Sequence, residues 1–175
     1  MTIIVCPLSR APSIARDRRP SRVVSLLDPE SRFPLLDGYG QDRHLCVGVH
    51  DVNEAREGDL ICDDGHMGAI LDFVGGWDRS DPLLIHCYAG ISRSTATAYI
   101  SACLHNPSAD EGEIAWALRD ASPSAFPNRR FVALADAALG RGGRMSRAIL
   151  DIGDGASWLD IGENTPFDLP ARFGA

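Results

Sequence analysis

A cysteine and an arginine six positions apart are the residues in this 175-residue chain whose types and spacing suggest chemistry. Cys87 and Arg93 belong to the stretch HCYAGISRS, residues 86–94, which follows the apolar residues 83–85. The pattern predicts a strand, a tight turn and the start of a helix. A short loop of this kind turns successive backbone N–H groups inward and forms a binding site for one tetrahedral anion.

The side chains of this loop suit attack on phosphorus. Inward amides, a helix N-terminus and the Arg93 guanidinium favour the thiolate of Cys87, which is the nucleophilic form. Gly90 permits a tight turn, and Arg93 offers a planar fork for two oxygens. The hydroxyl of Ser94 can stabilise the sulfur as a leaving group, and His86 can fix the loop through its ring nitrogens. The residues expected to bind phosphate are Tyr88, Ala89, Gly90, Ile91, Ser92 and Arg93.

The stretch HCYAGISRS resembles the signature loop of the cysteine-dependent protein tyrosine phosphatases: His-Cys, five residues, Arg, then Ser or Thr. Its Gly-x-Ser-Arg-Ser ending is most similar to the dual-specificity branch. A bare Cys-x5-Arg spacing is weak evidence, but the flanking His86, Gly90, Ser92 and Ser94 make the pattern specific. The resemblance implies an α/β single-domain fold with a central mixed, largely parallel sheet of four to five strands flanked by helices. It also implies hydrolysis of phosphate monoesters through a phosphocysteine, without metal or cofactor.

Asp51 is the candidate general acid. It follows a predicted strand at residues 44–49, and parallel strands present their carboxyl ends at one sheet edge, where ligands bind. A leaving alkoxide or phenoxide needs a proton, which a positioned carboxylic acid can supply. The resembling family has a general-acid aspartate after the corresponding strand. Asp63 or Asp64 are alternatives, and Asp51 can also be purely structural.

Composition narrows the class of partner. All 17 basic residues are arginine and the net charge is −7, which disfavours nucleic acid and anionic membranes as partners. No apolar run reaches the roughly 20 residues of a membrane span, and the N-terminus lacks signal-peptide order. We expect a cytoplasmic protein. Five cysteines without a C-x-x-C pair predict reduced thiols and no zinc site, although one can form a reversible disulfide with Cys87.

Periodicity predicts alternating strands and helices. Strands are predicted at residues 2–6, 23–27, 44–49 and 83–86. Helices are predicted at residues 14–18, 66–77, 94–104 and 132–139, and another ends at residue 119 after a capping box formed by Ser108 and Glu111. Asn128 is expected to cap the helix predicted at residues 132–139.

The resemblance covers residues 1–140, which are predicted to form the phosphatase domain. Residues 141–175 form a C-terminal extension that packs on this domain or trails from it. Its expected points of contact are Met145, Ile149, Leu150, Trp158 and Phe167.

Other functions remain open. A phosphate-binding module that has lost catalysis, a pseudophosphatase acting in protein interaction, is the main alternative. A sulfur-transferring rhodanese-like loop fits less well, because that loop is typically one residue shorter. The signature loop has no lysine, which favours phosphoprotein substrates over phosphoinositides: phosphotyrosine first, phosphoserine and phosphothreonine if the pocket is shallow, or a small phosphomonoester. The oligomeric state is not predicted.

Overall fold

A five-stranded sheet built from β-branched and apolar segments forms the centre of the molecule. The structure, a computed structural model, describes residues 1–156 and 162–174. The strands are β1 (Thr2–Pro7), β2 (Arg22–Leu27), β3 (His44–Gly48), β4 (Leu83–Cys87) and β5 (Phe167–Pro170), in the order β3-β2-β4-β1-β5. The first four run parallel, and β5 pairs antiparallel with β1. The prediction of a mixed, largely parallel sheet is confirmed.

Six α-helices in the described part of the chain flank the sheet, as the α/β prediction requires. They are α1 (Ala11–Arg18), α2 (Asp64–Gly75), α3 (Arg93–His105), α4 (Glu111–Ala121), α5 (Arg129–Ala138) and α6 (Arg144–Asp151). The larger apolar cluster contains residues of α2 to α6, and a smaller cluster on the other face contains residues of α1. Every residue from Arg93 to Cys103 in α3 is buried. Small Ala, Ser and Thr side chains allow this close contact with the sheet.

The parallel strands all end at one edge of the sheet. Pro7 of β1 and Leu26 of β2 both pair with Cys87 of β4, and Leu27 of β2 pairs with Gly48 of β3. The segments that follow these strands therefore meet above the end of β4. This edge brings together residues that are far apart in the sequence.

The start of α4 differs from the prediction. The expected capping box of Ser108 and Glu111 is wrong, because the side chain of Asp110 caps this helix and accepts from the Glu113 N–H at 3.0 Å. Glu111 is instead buried, and its carboxylate accepts from Arg141 at 2.9 Å. A buried carboxylate paired with a buried guanidinium satisfies both charges, so it is not available for capping.

Residues of α6 and β5, both after position 140, pack against the body of the molecule. Met145 and Ile149 of α6 are buried among α4 and α5, and Phe167 of β5 lies against the main core. Leu150, another expected contact, is 51% exposed. Trp158 lies outside the described residues. Neither α6 nor β5 was predicted from the sequence.

Within residues 1–156 and 162–174, none of the helices combines the length and apolar character needed to cross a membrane.

Candidate active site

Cys87 is the last residue of β4, and its side chain lies under the loop of residues 88–92. The residue is 2% exposed. Its Sγ lies 3.1 Å from the Ser94 Oγ, and the Gly90 N–H donates to Sγ at 3.3 Å. Donors directed at sulfur stabilise a thiolate, both as a nucleophile and as a leaving group.

The carbonyl groups of the loop all point outward. The donors are Leu8 N to Tyr88 O (3.1 Å), Asn164 N to Ala89 O (2.8 Å), Asn164 Nδ2 to Gly90 O (3.1 Å), Phe126 N to Ile91 O (2.9 Å) and Asn128 N to Ser92 O (3.3 Å). The C=O and N–H of a trans peptide point in opposite directions. Outward carbonyls therefore turn the intervening N–H groups toward the inside of the loop, where an anion can accept from them.

Gly90 occupies a position that other residues cannot fill. Its φ is +74°, in the left-handed region, and a Cβ there would lie 2.8 Å from Pro7 N and 2.9 Å from the Cys6 carbonyl carbon. Both contacts are with backbone atoms of β1, which cannot move aside. The loop can therefore lie directly against the end of β1.

Arg93 is buried beneath the loop with one side of its guanidinium anchored. Its Nη1 donates to Asp28 Oδ1 at 2.8 Å and to the Val49 carbonyl at 2.6 Å. The residue is 3% exposed, and its buried Nε makes no hydrogen bond within the described residues. The Nε–Nη2 edge is thus free to bind two oxygens of one anion.

Asp51 lies beside Arg93 and is held by two donors. Its Oδ1 accepts from Ser92 Oγ at 2.7 Å and from Asn128 Nδ2 at 2.8 Å, while Oδ2 lies 3.6 Å from Arg93 Nε. Oδ1 thus receives two hydrogen bonds, and Oδ2 is the oxygen that faces the Nε–Nη2 edge of Arg93. The loop after β3 thus presents a carboxyl group to the site.

The alternative acids lie elsewhere. Asp63 caps α2 by accepting from the His66 N–H at 2.9 Å, and its Oδ1 also lies 2.6 Å from His66 Nδ1. These contacts lower the pKa of the exposed Asp63 carboxyl, the backbone hydrogen bond most of all. Asp64 is the first residue of α2. Neither residue lines the cleft that contains Cys87.

A cleft of about 510 Å³ opens above Cys87. Tyr88, which is 69% exposed, and Phe126 supply aromatic surface to its walls, and Asp28 and Asp51 lie on the side of β2 and β3. A second cleft of about 500 Å³ lies between α1 and the loop at residues 35–43, and none of its lining residues belongs to the signature loop. The first cleft is therefore the candidate active site.

His86 lies in β4 and links it to β2. Its Nε2 lies 2.6 Å from the Ser25 Oγ, which in turn lies 2.7 Å from His44 Nε2. Burial lowers the pKa of His86 from 6.5 to about 4, so the ring is neutral at pH 7. This hydrogen bond joins β4 to β2 at the residue before Cys87.

All five cysteines are free thiols. Cys6 lies on the strand adjacent to Cys87, but its side chain belongs to the apolar cluster on the opposite face of the sheet. Burial raises the pKa of Cys6 to about 12, with a further contribution from Cys87, which makes it a poor thiolate nucleophile. The structure therefore gives little support to a disulfide between these two residues.

Three residues at this edge were missed by the sequence analysis as parts of the site. Asp28 follows the predicted strand β2, so the rule that selected Asp51 could have selected it. Asn128 was predicted only as a helix cap, a contact it makes by accepting from the Phe131 N–H at 3.1 Å. Asn164 follows no recognisable pattern, and no sequence signal indicated its contact with the loop.

The fold is similar to that of known protein structures. No protein-family model matches the chain, and no curated protein sequence matches it significantly. Solved structures do match. They include DUSP15 (TM-score 0.57, 21% identity, covering 87% of this chain and 92% of that one) and the Cydia pomonella PTP-2 phosphatase (0.56, 22%, 76% and 83%). A human tyrosine phosphatase-like serine/threonine/tyrosine-interacting protein matches with a TM-score of 0.58 at 17% identity, over 79% of this chain and 91% of that one.

Proposed function

Because the chain has the fold of dual-specificity phosphatases, we propose that it hydrolyses phosphate monoesters through a phosphocysteine at Cys87. The observation that carries this proposal is the orientation of the loop. Each carbonyl from Tyr88 to Ser92 accepts a hydrogen bond from outside, which leaves the amides directed at the space above the sulfur. A thiolate at the base of an anion site is arranged for attack on phosphorus.

In the first step, the Cys87 thiolate attacks phosphorus in line with the leaving oxygen. The S–P bond forms as the P–O bond breaks, and the leaving oxygen takes a proton from Asp51 Oδ2. The loop amides and the Nε–Nη2 edge of Arg93 hold the three non-bridging oxygens. These donors are already in place, so they stabilise the charge that develops in the transition state.

In the second step, water attacks the phosphocysteine. The Asp51 carboxylate accepts a proton from this water as the new P–O bond forms. The S–P bond breaks, and Ser94 Oγ, at 3.1 Å, donates to the departing sulfur. Inorganic phosphate leaves. The Cys87 thiolate and the protonated Asp51 are then restored for the next cycle.

Phosphotyrosine in a protein is the substrate class that this cleft suits best. Tyr88 and Phe126 can pack against an aromatic ring, and the five loop residues between Cys87 and Arg93 include no lysine for extra phosphates. Phosphoserine and phosphothreonine fit the same chemistry, because only the phosphate group contacts the loop.

Phosphate binding without turnover is the alternative that the same fold allows. One of the matching structures is named a tyrosine phosphatase-like, serine/threonine/tyrosine-interacting protein. Against this alternative, Cys87, Arg93 and Asp51 lie together in one cleft.

Hydrolysis of para-nitrophenyl phosphate by the wild type and by Cys87→Ser tests the proposal. We expect turnover by the wild type alone, unaffected by EDTA and inhibited by vanadate. A folded wild type that binds vanadate without turnover would establish the binding alternative. Equal turnover by Cys87→Ser would reject the phosphocysteine mechanism.

A further inference from the structure

The segment after residue 140 touches the phosphate loop through Asn164. This residue is 8% exposed. Its main-chain N–H donates to the Ala89 carbonyl at 2.8 Å, and its Nδ2 donates to the Gly90 carbonyl at 3.1 Å. One residue of the C-terminal extension thus binds two consecutive peptides of the loop.

The orientation of the Asn164 amide follows from its surroundings. A backbone carbonyl can only accept, so the nitrogen must face Gly90. The same Nδ2 donates to Ser122 Oγ at 2.8 Å, and Oδ1 accepts from Ser124 Oγ at 3.0 Å. Both serines are buried. Each polar atom of the amide therefore has a partner, which fixes the side chain in one arrangement.

These contacts determine which way the loop amides point. In the Ala89–Gly90 peptide, the carbonyl accepts from Asn164 on the outside, and the N–H donates to Cys87 Sγ on the inside. In the next peptide, the Gly90 carbonyl accepts from Nδ2, which turns the N–H of Ile91 inward. Without the Asn164 side chain, the Gly90–Ile91 peptide would lose the donor that opposes its rotation. The Ala89–Gly90 peptide would keep its contact with the main-chain N–H of residue 164.

The position of Asn164 is in turn set by β5. Phe167 pairs with Val5 of β1, the strand whose end packs against Gly90. The neighbouring Glu163 accepts from Ser9 Oγ at 2.9 Å. The C-terminal segment is therefore anchored on both sides of Asn164, to β1 through Phe167 and to Ser9, two residues beyond the end of β1, through Glu163.

We propose that Asn164 is a positioning residue of the phosphate loop, so that the C-terminal extension completes the anion site. This inference rests on the proposed function in that the bound anion is taken to be a phosphate group. Asn164 acts through the peptides that follow Ala89 and Gly90, without contacting the substrate.

The test compares Asn164→Ala with Asn106→Ala. Asn106 is a matched control: it is also an 8% exposed asparagine, and it also fastens the C-terminal segment, by donating to the Ala171 carbonyl at 3.1 Å. It makes no contact with the loop. Two readouts are measured on the full chain: the affinity for vanadate, and the pH at which alkylation of Cys87 by iodoacetamide is half-maximal.

For Asn164→Ala we expect vanadate affinity to fall by about tenfold. Removing a donor to an oxyanion outright costs roughly 10²–10³-fold in kcat, and here the donor is only less well held. Alkylation should become half-maximal at a higher pH, because the Ile91 N–H is no longer held toward the space above the sulfur once the Gly90 carbonyl loses its donor. In Asn106→Ala, the vanadate affinity should stay within about twofold of the wild type, and so should the acid dissociation constant given by the alkylation midpoint. This should hold whatever stability the variant loses.

Equal losses in the two variants would overturn the inference, since they would report general loosening of the C-terminal segment. Wild-type readouts in folded Asn164→Ala would also overturn it. If Asn164→Ala does not fold, Asn164→Leu replaces it. This variant keeps a side chain of similar size without adding a charge and loses the donor to Gly90, and it must show the same two changes.

The outcome is distinguishable from that of the proposed function. If the wild type binds vanadate without turnover, the proposed hydrolysis is rejected, but vanadate affinity and Cys87 alkylation still test the role of Asn164. A wild type that binds no vanadate rejects the phosphate site and, with it, the inference.

Discussion

Arg93 donates a 2.8 Å hydrogen bond from Nη1 to the Oδ1 of Asp28, a carboxylate just beyond the end of β2 and 65 positions earlier in the chain. This contact holds one side of the guanidinium and leaves the opposite edge for an anion. It also places a negative charge beside the proposed anion site. The two effects of Asp28 oppose each other, and substitution can separate them.

Asp28→Asn should bind vanadate at least as tightly as the wild type, because the acceptor for Arg93 is kept while the charge is removed. Asp28→Ala should bind about 3- to 10-fold more weakly than Asp28→Asn, because the guanidinium loses its anchor. Inhibition constants for vanadate, determined at low ionic strength for the wild type and the two variants, measure both differences in affinity. Indistinguishable constants for the two variants would show that Asp28 does not orient Arg93.

Asp51→Asn should affect substrates according to their leaving groups. On a phosphotyrosine peptide we expect kcat/KM to fall by about 100-fold, within the range typical of general acids. On para-nitrophenyl phosphate the loss should be much smaller, because nitrophenolate leaves without protonation. Asp63→Asn is the control, since Asp63 caps α2 outside the cleft. A uniform loss on both substrates would argue against an acid role for Asp51.

Asn128→Ala should reduce both stability and activity. The lost cap on α5 costs about 1 kcal/mol, and the lost hydrogen bond to Asp51 should lower kcat on phosphotyrosine peptide by about tenfold. Asp110→Ala removes the equivalent cap from α4, so it should match the loss of stability and keep full activity. Urea unfolding and peptide kinetics on both proteins provide the comparison. Equal kinetics in the two variants would mean that Asn128 is only a cap.

The buried His86 should make the folded protein less stable in acid. Its pKa is lowered to about 4 by burial, so between about pH 6.5 and pH 4 the unfolded chain binds a proton that the folded chain does not. The free energy of unfolding should therefore fall as pH drops through this window, by up to about 3 kcal/mol from this residue. His86→Gln cannot titrate and should show a smaller drop. Urea unfolding at pH 7 and pH 4.5 measures it, and identical drops would refute the assignment.

The residues that form the phosphate loop could be identified from the sequence because they are contiguous. Nine consecutive residues contain the proposed nucleophile, the turn glycine, the arginine proposed to bind the anion and the serine, and the preceding apolar run predicts the strand that ends beneath them. Asp51 could also be selected, because a carboxylate after a strand is a local pattern. The α/β class followed from the periodicity of segments that each bury one face.

Only the tertiary structure decided how this loop is held. Asn128 lies 77 positions from Asp51, and Asn164 lies 74 positions from Gly90. A single asparagine amide has no periodicity, and its partners are backbone or carboxylate atoms that any segment can supply. Which amide reaches the loop depends on strand order and on the return of β5 along β1. The sequence by itself determined the chemical groups of the site, and long-range packing determined their orientation.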